Sequence, residues 1–235
     1  MDVETVEREI RKHEDPLRAS HSMGFFKTAE GQYGAGDQFL GLTVPIQRTI
    51  AKKFKDLPIA EIQKLLNSPF HECRLVALLI LVGQYKKADA DTQKQIASFY
   101  HKNRARVNNW DLVDSSAPYI LGNYLLNRSR AVLYRLAKSK SLWDRRIAMV
   151  TTLGFIRAGQ LGDTFLIAEI LLDDKHDLIH KAVGWMLRCA GDVDRAELLK
   201  FLDKHAHVMP RTDLRYALEH LTPAQKRHYM SLTQI

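Results

Sequence analysis

Apolar residues recur along this chain at intervals of three and four, as at Leu75, Leu78, Leu79 and Val82 or at Val183, Met186 and Leu187, and almost nowhere in strict alternation. That spacing lines one face of an α-helix, so the pattern predicts an all-α protein. The runs are interrupted at Asp15-Pro16, Leu57-Pro58, Ser68-Pro69, Met209-Pro210 and Thr222-Pro223. Proline lacks the helical N–H and restricts the residue before it, so each pair marks a helix boundary. Turn-forming stretches at Lys138 to Ser141, at Gly159 and at Asp173-Asp174 divide the remainder. The predicted helices are short and closely spaced.

A longer period overlies the helical one. The segments RLVALLIL from Arg74, WDLVDSSA from Trp110, RRIAMVTT from Arg145, KAVGWMLR from Lys181 and RYALEHLT from Arg215 start at intervals of 36, 35, 36 and 34 residues. Stacked helix pairs give such a period, because one pair cannot bury its apolar face alone. The expectation is an α-solenoid of HEAT-like repeats, a curved single-domain superhelix spanning residues 1–235; a bundle of helices of similar length remains the alternative. Four of the five register positions are basic (Arg74, Arg145, Lys181, Arg215), which in a solenoid would form a positive stripe along one face. Taken singly, each is equally explained as a cation on a solvated helix face.

Composition adds the kind of partner. The 35 Lys and Arg residues exceed the 27 Asp and Glu residues, giving a net charge of +8 and a pI near 9.4, and this excess favours polyanionic partners. The two cysteines, Cys73 and Cys189, lie far apart in apolar helical segments, so neither a disulfide framework nor a zinc knuckle is expected. The first residues, MDVETVEREIRKHEDP, carry no apolar leader core, and no run approaches the roughly 18 apolar residues of a membrane span. A reduced, cytoplasmic setting follows. The stretch Lys27 to Gly41 holds four of the twelve glycines, and Gly31, Gly34 and Gly36 match neither the phosphate-binding loop nor the dinucleotide fingerprint. It is expected to be a mobile loop beside a binding surface.

The chemistry concentrates in NWDLVDSSAPYIL, residues 109–121. Asn108 is read as the helix cap and Asp111, three residues on, as the acid of a capping box. Asp114 lies past the point where capping needs it and stands i, i+4 from Trp110, on the same helix face. A carboxylate beside an aromatic ring suits a developing cation such as the oxocarbenium of a breaking sugar bond, because the ring excludes water and strengthens the Coulomb attraction. The competing reading is a core tryptophan with the aspartate paired to Arg145 or Arg146. Arg146 opens the helix after Trp143, where a guanidinium can fork onto a phosphate. Trp185 lies four residues after Lys181 and three before Arg188, an aromatic between two cations. His176 and His180 imitate a zinc-binding HExxH only loosely, having Asp177 in second place and no third ligand nearby, so no metal site is expected. No nucleophile elbow of the Gly-x-Ser-x-Gly type is present.

Together, Phe25-Phe26-Lys27, FLGLTVP (39–45), NWDLVDSSAPYILG (109–122), WDRRIAM (143–149) and KAVGWMLR (181–188) resemble the AlkD-type DNA alkylation repair glycosylases, a family of HEAT-like repeat proteins, over nearly the whole chain. The resemblance implies a cofactor-independent, monomeric, monofunctional glycosylase that hydrolyses the N-glycosidic bond of cationic N3- or N7-alkylpurines in double-stranded DNA, acting at the nucleoid and without drawing the base into a deep pocket. It implies Asp114 as catalytic carboxylate, Trp110 and Trp185 as aromatic walls against the deoxyribose and backbone, and Arg146 as phosphate-side cation. Lys27, Arg74, Arg145, Lys181, Arg188 and Arg215 are then the DNA-binding residues. Two departures from the pattern bear on substrate range: Asn109 stands where a second tryptophan often precedes Trp110, and Phe25 or Phe26 stands where an aromatic hydroxyl is expected. The alternatives are a catalytically silent DNA-binding paralogue that recognises distorted duplex, and a helical-repeat scaffold for acidic partners.

Overall fold

In the computed structural model, which describes residues 1–232, each of the five proline boundaries falls at the start of a helix or within two residues before it. No β-strand forms among the described residues; one isolated bridge joins Gln38 to Phe70. The chain is all-α, and it divides into two compact units, residues 1–116 and the residues from 117 onward.

The first unit contains α1 (Val3–Arg11), α2 (Pro16–Phe25), α3 (Val44–Lys53), α4 (Ile59–Leu66), α5 (His71–Tyr85), α6 (Ala90–Lys102) and the start of α7 (Trp110–Ala117). Short acids cap several of these helices: Asp2, Asp15 and Asp89 accept the N–H groups of Thr5, Arg18 and Thr92. Helix α5 is apolar nearly all round, as a helix at the centre of a unit must be, and Leu75, Val76, Ala77, Leu78, Ile80 and Leu81 are buried against α3, α4 and α1. Each of the buried Leu, Ile and Val side chains contributes on the order of 1.5–3 kcal/mol when removed from water.

The second unit continues from α7 through a π turn, Pro118–Gly122, into α8 (Asn123–Leu125), then α9 (Ala131–Ala137), α10 (Leu142–Arg157), α11 (Gly162–Leu171), α12 (Asp177–Val193), α13 (Arg195–His205), α14 (Arg211–Ala217) and α15 (Pro223–Met230). The widened turn sits where Pro118 offers no N–H to the α-type ladder. It packs on α10 with glycine against glycine: a Cβ on Gly122 would lie 2.8 Å from the Thr151 carbonyl oxygen and 3.1 Å from the Gly154 Cα. Helix α12 packs against α10, α13 and α14, and α14 approaches so closely at Gly184 that a Cβ there would stand 2.5 Å from the Asp213 carbonyl oxygen.

The repeating segments all lie on helices, namely α5, α7, α10, α12 and α14, but only the Trp110 segment starts its helix; the others begin three or four residues inside. The expectation that their basic residues all face solvent does not hold. Arg74 is only 2% exposed, because it sits on the helix that is buried all round.

Candidate active site

In the first unit the start of α5 is a grip. His71, its first residue, directs Nδ1 to Asp37 Oδ2 at 3.0 Å and Nε2 to Asp111 Oδ2 at 2.8 Å. The Arg74 guanidinium donates to Asp37 Oδ1 at 2.5 Å and also to the carbonyl oxygens of Ser68 and Pro69 at 3.2 and 3.1 Å. The buried Glu72 carboxylate accepts the backbone N–H groups of Leu40, Gly41 and Leu42 at 3.0, 2.8 and 3.3 Å. The end of the glycine-rich stretch is therefore not a free loop: three side chains from one helical turn hold residues 37–42. Gly41, at φ +89°, passes so near Asp15 that a Cβ would lie 2.1 Å from its carbonyl oxygen, so no other residue fits there.

The charges in this cluster are settled by their neighbours. Burial disfavours the imidazolium of His71, but the carboxylates of Asp111 and Asp37 outweigh it and raise the group from 6.5 to about 9. At neutral pH the ring is a cation, and both nitrogens donate. For Asp37 burial pushes upward, whereas the hydrogen bond from His71 and the charge of Arg74 hold the carboxyl below its ordinary value. Around the ring, Asp37 and Asp111 thus face His71 and Arg74 in one largely buried cluster.

Aromatic rings close over this cluster. Phe39 stacks on the His71 ring at 4.6 Å, and Phe26 lies 4.9 Å from the same ring and 5.0 Å from Phe39. Trp110 stacks in turn on Phe26, with centroids 5.3 Å apart and planes 18° from parallel, and Phe25, 57% exposed, meets it edge-on at 5.9 Å. Trp110 is half-buried on this support, and so is Asp114 one turn further along α7.

Two details of α7 correct the expectations from sequence. The helix starts at Trp110, so the cap is Asn109 and not Asn108: the Asn109 carbonyl accepts the Val113 N–H at 3.1 Å, and its buried side-chain Oδ1 accepts the Trp110 N–H at 2.9 Å. Asn109, where the resemblance leads one to expect a second tryptophan, is therefore the cap of α7. Asp111 is not merely a capping acid. One oxygen accepts the Leu112 N–H at 2.8 Å, while the other is the partner of His71.

Lys27 also belongs to the first unit; it is exposed and adopts a left-handed conformation, φ 56°, just past α2. The remaining candidates lie in the second unit. Arg146 is only 4% exposed and donates to the Leu178 carbonyl at 2.5 Å. Arg145 is half-buried, with Nε on Asp174 at 2.5 Å and one terminal nitrogen shared between the carbonyls of Ser139 and Lys140, each at 3.0 Å. On α12, Lys181 pairs with Asp177 at 2.7 Å, Trp185 is half-buried, and Arg188 pairs with Glu219 of the segment after α14. Arg215 on α14 is exposed. His176 caps α12 by accepting the Leu178 N–H at 3.1 Å, and His180 Nε2 lies 2.6 Å from the Asp174 carbonyl, so both histidines serve the local backbone.

Sequence reasoning missed His71, Asp37 and Glu72 in the first unit and Asp213 in the second. Asp213 is 0% exposed, and neither of its carboxyl oxygens has a hydrogen-bond partner among the described residues. Burial pushes its carboxyl up to about 8, with the charges of Asp174 and Asp177 adding to the rise. An Asp three residues after a Pro at a helix start ordinarily reads as an exposed first-turn acid, so nothing in the sequence marked it.

Comparison with known proteins supplies the context for these residues. Residues 6–221 match the model of a family described as DNA alkylation repair enzyme. A solved structure described as a predicted DNA alkylation repair enzyme from Enterococcus faecalis superposes with a TM-score of 0.69, covering 90% of this chain and 98% of its own at 15% identity, a likeness of fold. No curated protein matches at a significant level. No helix among the described residues is long and apolar enough to cross a membrane.

Proposed function

The chain belongs to the family of DNA alkylation repair enzymes, and from that premise we propose that it is a monofunctional DNA glycosylase releasing cationic N3- or N7-alkylpurines from duplex DNA, as a monomer and without a cofactor. The observation that carries this reading is the placement of Trp110 and Asp114 one turn apart on α7, both half-buried and both reaching solvent, with the tryptophan backed by Phe26. An alkylated purine already bears the positive charge that makes it a leaving group, so the protein need not protonate it. What remains is to stabilise the sugar as the C1′–N bond breaks and to orient a water. A carboxylate at Asp114 does the first by charge and the second by accepting a hydrogen bond from the water, and the Trp110 ring lowers the local dielectric that the charge works through.

Trp185 is proposed as an aromatic contact to the DNA backbone, and Lys27, Lys181, Arg188 and Arg215 as phosphate contacts, since their side chains reach solvent. Arg74 is withdrawn from that role, because its guanidinium is inside the protein and bonded to Asp37. Arg145 is held by Asp174, and Arg146, almost fully buried, acts as a fixed positive charge beneath the surface that meets the backbone.

The test is incubation of the protein with methylated duplex DNA and measurement of free 3-methyladenine and 7-methylguanine. Asp114→Asn should keep DNA affinity and slow single-turnover release by at least about a hundredfold, since the amide preserves shape and removes charge. Tight duplex binding with no base release would make the protein a DNA-binding member of the family instead. Equal rates for wild type and Asp114→Asn would remove Asp114 from the chemistry.

A further inference from the structure

We infer that His71 is a positioning residue for this site, a clamp that sets the first turn of α7, and with it Trp110 and Asp114, against the end of the glycine-rich loop; the inference rests on the glycosylase reading of Asp114. His71 lies 40 residues before Asp111 and 34 after Asp37, and its two ring nitrogens reach both. The ring cannot turn, because Phe39 stacks on it and Phe26 packs beside it. The side chain that meets the imidazole on one side, Phe26, is also the one on which Trp110 stacks. One residue therefore controls α7 by two routes: a charged hydrogen bond to Asp111 in its first turn and the aromatic layer beneath Trp110.

Stability alone is a poor explanation for such a cluster. Buried ion pairs recover little more than their desolvation, and apolar residues of similar volume often serve as well or better. What charged hydrogen bonds provide and apolar packing does not is direction. The charged groups around the ring are Asp37, Asp111 and Arg74, and the neighbouring Glu72 is occupied with the backbone of residues 40–42. Asp111 is thereby fixed in orientation, and Asp114 follows it on the same rigid helix three residues later. Positioning to within about 0.5 Å is what a charge must have to stabilise a transition state, and a misplacement of about 1 Å from outside the chemistry can cost about a hundredfold.

The experiment compares wild type with His71→Gln, Asp111→Asn and the double variant on a duplex carrying 7-methylguanine, measuring dissociation constant and single-turnover release at a temperature where circular dichroism shows each protein fully folded. Affinity is expected to stay within about threefold while release falls at least about tenfold in each single variant. The double variant should be no slower than the slower single one, because both break the same linkage. Release unchanged in either folded single variant, losses that multiply in the double variant, or losses that vanish on cooling in step with the folded fraction would each overturn the inference. Should His71→Gln fail to fold, Asp111→Asn carries the same comparison.

A second readout is independent of chemistry. In a Trp143→Phe, Trp185→Phe background Trp110 is the sole indole, and breaking the clamp should raise its quenching by acrylamide. If wild type releases no base, the glycosylase reading falls by itself, and this quenching decides the clamp: a rise in His71→Gln or Asp111→Asn supports it, and unchanged quenching in both overturns it.

Discussion

Replacing Asp213 with asparagine should make the protein more stable at neutral pH and remove a loss of stability that the wild type suffers as pH rises. The side chain is wholly buried between α14 and α12, without a hydrogen-bond partner among the described residues, and its carboxyl is raised from 3.8 to about 8. A raised carboxyl pKa in the folded state means that the unfolded chain gives up the proton first. Between about pH 4 and pH 8 every rise in pH therefore favours unfolding, and above pH 8 the cost no longer grows. At roughly 1.4 kcal/mol per pH unit, the roughly three units between the unfolded value and pH 7 correspond to a cost on the order of 4 kcal/mol. The asparagine amide is as short of partners as the carboxyl it replaces, so those two costs largely cancel and the net gain at pH 7 should be on the order of 3–4 kcal/mol. Urea unfolding of both proteins at pH 5, 7 and 9 measures it. The variant should gain on the wild type from pH 5 to pH 8 and run parallel above, with unchanged denaturant slopes. Parallel curves across the whole range would show that Asp213 ionises freely in the folded protein, and the account of its burial would be wrong.

Three further outcomes follow from particular contacts. Asp111→Asn, which from sequence alone should cost at most about 1 kcal/mol as a cap, should instead cost on the order of 3 kcal/mol near pH 7 by removing one of the two carboxylates that hold the buried imidazolium. Because the His71 pKa is raised to about 9, the stabilisation it provides is complete below about pH 6.5 and is lost as pH rises through 9. The melting penalty of Asp111→Asn should shrink over that range, and a penalty independent of pH would argue against the pair. Arg74→Gln should lower the melting temperature and leave the salt dependence of duplex binding unchanged, whereas Arg215→Gln should leave melting unchanged and reduce the log–log slope by about 0.9; the opposite pattern in a salt titration would restore Arg74 as a phosphate contact. Gly154→Ala should destabilise by about 1–3 kcal/mol through overpacking, since its Cβ would meet the Gly122 Cα at 2.8 Å and the Pro118 carbonyl oxygen at 2.9 Å, and a neutral effect in thermal melting would show that the π turn can move aside.

The helical content was legible because it rests on local physics. Apolar spacing selects the helical period, proline removes a specific hydrogen bond, and short acids supply caps, so α2 at Pro16, α4 after Pro58, α14 after Pro210 and α15 at Pro223 start where the chain said they would. The family too was legible in short ordered motifs, and residues 6–221 match it. The pairing of Trp110 with Asp114 on one helix needed only their spacing. Burial and charge state were not local, and there the reading from sequence failed. Arg74 and Arg215 held the same place in the repeat, yet one is internal and the other exposed, because α5 is covered all round and that face of α14 is not. Asp111 looked like a capping acid until residues 37 and 71 were brought beside it. A hydrogen bond between side chains 40 residues apart leaves no period and no motif in the sequence; only the packing that closes the distance decides that the His71 pKa is raised to about 9 with Asp111 as its partner, and that burial pushes the Asp213 carboxyl up to about 8.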